Sequence, residues 1–188
     1  MTSAATEPLR LLFVCTANIC RSPFLELYAR SVVADHVEVA SAGTHGWDAH
    51  PVSDDIAAEL VDRGVDPAPF RSRRLTTEMI EQADLVLTAE RVHRQFILDD
   101  HPAAFRKVLT VGQAVRAAEQ VPGGLVGRDA LPEIARLRGM AQADGDIDDP
   151  YGRGRAAAAT AAERMTGMLD RFLPVLGVSA QPRELPHG

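Results

Sequence analysis

The chain has two cysteines in 188 residues, and both lie in the stretch LLFVCTANICRSPFLE, residues 11–26. Two cysteines cannot build the disulfide framework of a small secreted protein. A reducing cytoplasm, where an unpaired thiol survives, is the expected compartment. Lysine is scarcer still. Lys107 stands alone among 20 basic residues, a bias that, with the alanine-rich runs, reads as a GC-rich bacterial genome rather than a mechanism. No apolar run approaches the roughly 20 residues needed to cross a bilayer, so no membrane partner is expected. The opening MTSAATEPLR has neither a basic n-region nor an apolar h-region, and no signal peptide is expected. Basic excess is also missing, since the formal net charge is −6. A duplex binder needs a basic face to displace counterions, so no nucleic-acid partner is expected. A small basic pocket inside an acidic surface stays possible, which is the form a phosphate site takes.

What is present is ordinary for a globular protein: 46% hydrophobic and 24% charged residues, enough for one sizeable core. There is no internal repeat and no long linker. The reading is a flexible lead over residues 1–8, one domain over 9–176 and a loose tail over 177–188. LRLLFVC (9–15) is a continuous apolar run of the kind a buried parallel strand requires. SPFLELYARSVVA (22–34) follows at helical spacing, with Ser22 as its expected cap and Pro23 in its first turn. VEVASAG (37–43), ADLVLT (83–88) and KVLTV (107–111) read as strands. Residues 53–65, 90–100 and 155–176 read as helices. Such alternation predicts an α/β fold, a single three-layer domain whose four-stranded parallel sheet carries helices on both faces. Ligands of such sheets sit beyond the carboxyl ends of the strands, and the first strand-to-helix turn runs from Cys15 to Arg21.

That turn has a definite chemistry. Its backbone N–H groups lack strand and helix partners, so if they converge they form a nest for an anion at the positive end of the helix. The same field favours the thiolate of Cys15, the form that attacks. Arg21 closes the loop with a planar fork that fits two phosphate oxygens. Thiolate, N–H cradle and arginine together suit attack on phosphorus, and no metal or other cofactor is needed. Cys-x5-Arg alone is a weak pattern; the strand before it and the Ser-Pro helix start after it make it specific.

FVCTANICRSP resembles the signature of the low-molecular-weight protein tyrosine phosphatases, bacterial type. SAGTHGW (41–47) resembles the family segment that walls the pocket, DLVLTAE (84–90) its third strand and turn, and DDPYG (148–152) the loop carrying the general acid. The resemblance implies a cysteine-dependent phosphatase that hydrolyses phosphotyrosine monoesters through a cysteinyl-phosphate intermediate, acting on tyrosine-phosphorylated proteins, with a monomer expected. It makes Cys15 the nucleophile, Arg21 the phosphate clamp and Asp149 the general acid, then base. Thr16, Ala17, Asn18, Ile19 and Cys20 complete the phosphate-binding loop. Asn18 would hold its unusual backbone, since asparagine tolerates positive φ, and Ser22 would hydrogen-bond the thiolate. Glu90 stands where the family has an acidic partner for the arginine. Trp47 and Tyr151 would flank the cleft and sandwich an aromatic ring.

The chain departs from the family pattern in places. Thr16-Ala17 replaces Leu-Gly, which narrows the backbone allowed to residue 17. Phe70 replaces a loop-supporting histidine, and only one tyrosine follows the acid-loop proline. The segment from Gly112 to Gly145 is longer, and its RDALPEIARLRGMAQ is expected to add a helix near the cleft.

Plainer readings stand beside these. Cys15 could be a buried apolar cysteine, and Cys20 either a packed thiol or a redox partner that traps oxidised Cys15 as a disulfide. Zinc binding lacks supporting Cys or His pairs. Within ADGDIDDP, Asp149 is preferred over Asp148 because the following proline stiffens its backbone and the motif aligns there. Arg71, Arg73 and Arg74 read as a solvated basic surface that could aid acidic phosphopeptides. Two other functions share the loop chemistry: arsenate reduction with an external thiol, and a catalytically silent phosphotyrosine-binding module.

Overall fold

A computed structural model describes residues 7–178; residues 1–6 and 179–188, most of the expected lead and tail, lie outside it. Strand β1 (Leu9–Cys15) occupies an interior position of a four-stranded sheet in the order β2-β1-β3-β4. β2 is Val37–Gly43, β3 Leu85–Thr88 and β4 Val108–Thr110. Every pairing is parallel. The unbroken apolar run of β1 serves two cores at once. Leu9, Leu11, Phe13 and Cys15 face the larger one, while Leu12 and Val14 face a smaller one on the other side, as a period of two dictates.

Helices α1 (Arg21–Val32), α2 (Asp54–Asp62), α5 (Val111–Ala118), α6 (Leu131–Leu137) and α7 (Arg155–Phe172) cover the larger core. Helices α3 (Thr77–Gln82) and α4 (Arg91–Asp100) cover the smaller one. The chain leaves β1 for β2 on one side and returns to β3 on the other. The reversal therefore falls at the carboxyl end of β1, where open α/β sheets bind ligands.

Several local expectations need correction. Ser22 does not cap α1: the helix starts at Arg21 with Cys20 at the cap position and no side-chain cap bond, because the Ser22 hydroxyl is turned toward Cys15 instead. Ser53 precedes α2, yet its hydroxyl also makes no cap bond and pairs with the Cys20 thiol. Val111 opens α5 rather than ending β4. Thr110 and Gln113 cap that helix reciprocally, each side chain accepting the other's backbone N–H at 3.1 Å, which turns strand into helix without a loop. The closing helix ends at Phe172, and Leu173–Leu176 tighten into a 3-10 turn. The added helix of the long segment is short and lies away from the cleft. Its Ile134 is buried in the larger core, and no α6 residue lines the cavity at Cys15. Among the described residues no helix is long and apolar enough to cross a membrane.

Candidate functional site

Cys15, Thr16, Ala17, Ile19, Cys20, Arg21, Trp47, Asp149 and Tyr151 surround one cavity of about 170 Å³, at the carboxyl end of β1. It is smaller than two other concavities of about 730 and 1380 Å³. Chemistry rather than size singles it out.

The loop is held from outside by its carbonyls. Those of Cys15, Thr16 and Ala17 accept from the N–H groups of Thr44, His45 and Trp47, and that of Ile19 from Ser53 N–H. Cys20 carbonyl takes the first bond of α1, from Phe24 N–H. In a trans peptide each C=O opposes the following N–H. The N–H groups of residues 16, 17, 18, 20 and 21 therefore point the opposite way, toward the loop interior, and none of them donates to another described residue. Gly43 permits this close packing, because a Cβ there would come within 2.5 Å of the Thr16 carbonyl oxygen. Gly46 is equally confined, 2.3 Å from the Arg73 carbonyl oxygen on the same test.

Asn18 is the loop's left-handed residue, at φ 59°; Ala17 has no positive φ, so alanine in place of glycine costs nothing there. Arg73 N–H donates to Asn18 Oδ1 at 2.9 Å, which fixes the amide orientation. Asn18 Nδ2 then donates to Ser22 Oγ and Ser41 Oγ, both at 2.8 Å, and Ser41 donates to the buried Glu26 carboxylate at 2.6 Å. Ser22 Oγ lies 3.0 Å from Cys15 Sγ. Asn18 donates to one of its lone pairs, and its proton has two acceptors in reach, the sulfur at 3.0 Å and the Ala42 carbonyl at 3.4 Å. A charged sulfur is the stronger acceptor, and the bond to it stabilises a thiolate. No histidine is required at position 70. Phe70 is buried in the larger core, and the support comes from the Arg73 backbone.

A second prop was not foreseen. His93 in α4 is buried, with Nδ1 accepting Glu90 N–H at 3.2 Å. A neutral ring in that arrangement carries its proton on Nε2, which donates to Thr16 Oγ1 at 2.8 Å. Burial, and next the Arg21 charge, push the His93 pKa down to about 4, so the ring stays neutral near pH 7. Thr16, a departure from the family pattern, is thus matched to His93.

Arg21 is buried, with one edge committed. Nη1 donates to the Glu90 carboxylate and, at 3.0 Å, to the Ile147 carbonyl. Nη2 lies 3.1 Å from Asp149 Oδ2. Nε is buried with no hydrogen-bond partner among the described residues, an arrangement natural proteins avoid unless a ligand completes it. Nε and Nη2 form the fork that fits two oxygens of a phosphate.

Asp149 is half exposed and points at this fork, whereas Asp148 is exposed and does not line the cavity. The acid loop is anchored just before it. Asp146 takes Arg91 N–H at 2.9 Å and Arg91 Nε at 3.0 Å, and the buried Ile147 donates its N–H to the Ala89 carbonyl at 2.9 Å. Trp47 and Tyr151 meet edge to face, centroids 6.3 Å apart at 90°. A ring stacked between two walls needs about 7 Å between parallel planes, so the pair forms one aromatic rim rather than a sandwich. Cys20 is a free thiol 2.9 Å from Ser53 Oγ, and burial pushes its pKa up to about 11. Arg71 donates to two carbonyls, Arg73 reaches Ser41 carbonyl and Glu26, and Arg74 reaches Gly46 carbonyl. All three arginines are exposed, as a solvated basic surface requires, and they also brace the loop's surroundings. Among the described residues no group of three or more His, Cys, Asp or Glu side chains could hold a metal ion.

The model of the low molecular weight phosphotyrosine protein phosphatase family matches residues 10–124. The chain belongs to this family. Two relatives carry different activities in their names. It is 29% identical over 165 residues to the protein-arginine-phosphatase of Geobacillus stearothermophilus, covering 88% of this chain and 94% of that one. It is 36% identical over 109 residues to the low molecular weight protein-tyrosine-phosphatase Etp of Escherichia coli strain K12, covering 58% and 73%. Among solved structures, the YwlE arginine phosphatase from Geobacillus stearothermophilus superposes with a TM-score of 0.74 at 28% identity, over 90% of this chain and 94% of that one. The low molecular weight protein tyrosine phosphatase from T. tengcongensis superposes at 0.69 and 26% identity, over 88% and 98%. Both are similar to this phosphatase across most of its length.

Sequence reasoning missed Ser41, His93, the Arg73 backbone and Ile147. Glu90 and His93 carried a usable sign, an acidic residue at a helix start with a side-chain partner three residues on. Ile147 acts through a carbonyl, which no side chain advertises.

Proposed function

We propose that this family member is a protein tyrosine phosphatase that acts in the cytoplasm, with Cys15 as nucleophile. The supporting observation is the set of five inward N–H groups and the unpartnered Arg21 Nε around Cys15 Sγ. A phosphate dianion entering this cradle meets donors in place of water, and they hold its equatorial oxygens through the transition state. Asp149 occupies Arg21 Nη2 until the dianion arrives. Displaced from it, the carboxylate takes up a proton from solvent at the mouth and gives that proton to the departing phenolate oxygen. Cys15 takes phosphorus as that bond breaks, forming cysteinyl phosphate. Asp149, now a base, takes a proton from the water that attacks phosphorus, and Ser22 stabilises the departing thiolate. Cys20, kept protonated by burial, leaves Cys15 as the reactive sulfur. It can close a disulfide on a Cys15 sulfenic acid formed by peroxide, with water leaving; peroxide inactivation reversed by reductant in wild type should become irreversible in Cys20→Ser.

A second reading, phosphoarginine as substrate, is favoured by the long alignment with an arginine phosphatase. The cavity wall favours an aryl group: Ile19, Trp47 and Tyr151 give it apolar and aromatic surface, and its one carboxylate, Asp149, is already paired with Arg21. Turnover of matched phosphotyrosyl and phosphoarginyl peptides decides between them; a larger kcat/KM for phosphoarginine would reverse the assignment. In metal-free p-nitrophenyl phosphate assays Cys15→Ser should abolish activity and Asp149→Asn should slow it strongly. Activity surviving in Cys15→Ser sinks the mechanism. Arsenate reduced with a thiol donor, or phosphopeptide bound without turnover, would instead favour the two other functions the loop chemistry allows.

A further inference from the structure

A second concavity of about 1380 Å³ lies between α4, the 3-10 turn Pro102–Arg106, and α6 with the chain that follows it. Seven of its lining residues are cationic and one, Asp84, is anionic, in a chain whose net charge is −6. Three of the cations are neutralised: Arg91 by Asp146, Arg128 by Asp84 and Arg136 by Glu133. Arg94, Arg106 and Arg138 have no carboxylate partner among the described residues. Arg94 and Arg138 both lie over the Phe105 ring, at 5.1 and 4.1 Å from its centroid. Two guanidinium groups sharing one ring repel each other, and Arg94 is partly buried, so holding both charged there costs free energy that an anion between them would recover. Burial, and then the Arg138 charge, accordingly lower the Arg94 pKa.

We propose that this groove binds an acidic, unphosphorylated segment of the protein substrate, a proposal that rests on the phosphoprotein phosphatase reading. Three observations favour an extended polypeptide over a small polyanion. The seven cations come from three stretches of chain, residues 91–94, 106–107 and 128–138, rather than from one loop. The exposed Phe105 and Met140 add apolar floor that carbon-rich side chains cover. Arg91 at the groove's end directly follows Glu90, the partner of Arg21, so α4 runs from the phosphate site into the groove. Residues 127–141, which build one wall, lie beyond the part of the chain that the family model matches.

The test uses a fluorescent glutamate-rich peptide without phosphate, and its glutamine counterpart, in anisotropy titrations at low ionic strength. The acidic peptide should bind more tightly, and salt should weaken it. The double variant R94Q/R138Q should lose affinity by about fivefold or more. R106Q, an exposed position with no side-chain bond to lose, should weaken binding in the same direction if folding of the double variant is in question. None of these changes should alter p-nitrophenyl phosphate turnover. With phosphotyrosyl peptides, the variants should raise KM for an acid-flanked substrate and leave a neutral one unchanged. Equal binding of the two peptides, or affinity indifferent to the substitutions, overturns the proposal. Inorganic triphosphate competing more strongly than the peptide also overturns it, in favour of a small polyanion. A wild type that binds the peptide yet hydrolyses no p-nitrophenyl phosphate overturns the phosphatase reading and leaves the groove supported.

Discussion

The loop at residues 15–22 and the loop at 146–152 meet at Arg21 but are built on opposite terms. In the first, Asn18, Arg21 and Ser22 are buried polar side chains, and bonds run without a break from Glu26 through Ser41, Asn18 and Ser22 to Cys15. In the second, Ile147 is buried but Asp149 and Tyr151 are about half exposed, and Gly152 and Gly154 turn the chain away at φ 71° and 80°. The difference follows the work each loop does. An anion cradle gains from donors that need not reorganise, so its backbone is fixed from several sides. A group that gives a proton and then takes one must reach both the leaving group and water, so it extends from an anchored stem. Substitutions should therefore cost most in the cradle and least along the stem.

Replacement of Arg21 by lysine should have the largest effect. A single ammonium cannot occupy the places of Nε, Nη1 and Nη2 together, and kcat should fall by roughly 10²–10³-fold or more, as when one oxyanion donor is lost. A milder loss, read in p-nitrophenyl phosphate kinetics, would mean that the backbone N–H groups carry the charge without the fork. Asn18→Ala comes next. It removes three hydrogen bonds and puts a residue with no compensating side chain at φ 59°, at about 1 kcal/mol for each bond and 1–2 for the backbone. A stability loss of about 4 kcal/mol in urea unfolding is expected, with activity lost before the fold. Unchanged stability would show that the left-handed turn is set by neighbouring chain rather than by Asn18.

The two loops were also unequally legible. The cradle is contiguous, so strand, Cys-x5-Arg and helix start could be recognised in one short stretch, and the four strands followed from their apolar runs. The acid loop lies 128 residues after Arg21, counting to Asp149, and spacing alone does not bring the two together; the aspartate was located through DDPYG. What holds either loop in place was mostly hidden, because Ile147, Arg73 and the carbonyls of residues 15–17 act through backbone. Ser22 was misread as a cap for a related reason. A serine before a proline suits a helix start, and only the fold shows that a sulfur competes for its hydroxyl. The length of residues 112–145 suggested a helix at the cleft, whereas burial of Ile134 sends that helix to the core.

His93 tests the cradle's second prop through pH. Its folded pKa is held at about 4, below the ordinary value near 6.5. Above about pH 6.5 the ring is neutral folded or unfolded and the full stabilisation is present. As pH falls toward 4 the unfolded chain takes up the proton and the folded one does not, so stability declines by about 3 kcal/mol through that window. His93→Gln removes the titration and can keep a donor near Thr16. Urea unfolding at pH 7.5 and 4.5 should show a smaller drop for the variant than for wild type. Equal drops in both would assign the acid sensitivity to carboxylates elsewhere.

The smallest effect is expected on the stem. Asp146→Asn weakens the tie to Arg91, a partly exposed pair worth no more than about 1 kcal/mol, and global stability should hardly move. Its consequence is positional, since Asp146 and Ile147 set where Asp149 begins. A misplaced acid matters most when the leaving oxygen is strongly basic. Turnover of phenyl phosphate should therefore fall several-fold while p-nitrophenyl phosphate, whose leaving group needs little protonation, falls less. A uniform loss on both substrates would place the defect in the cradle through Arg21, and the stem would then be part of the phosphate site rather than a support for the acid.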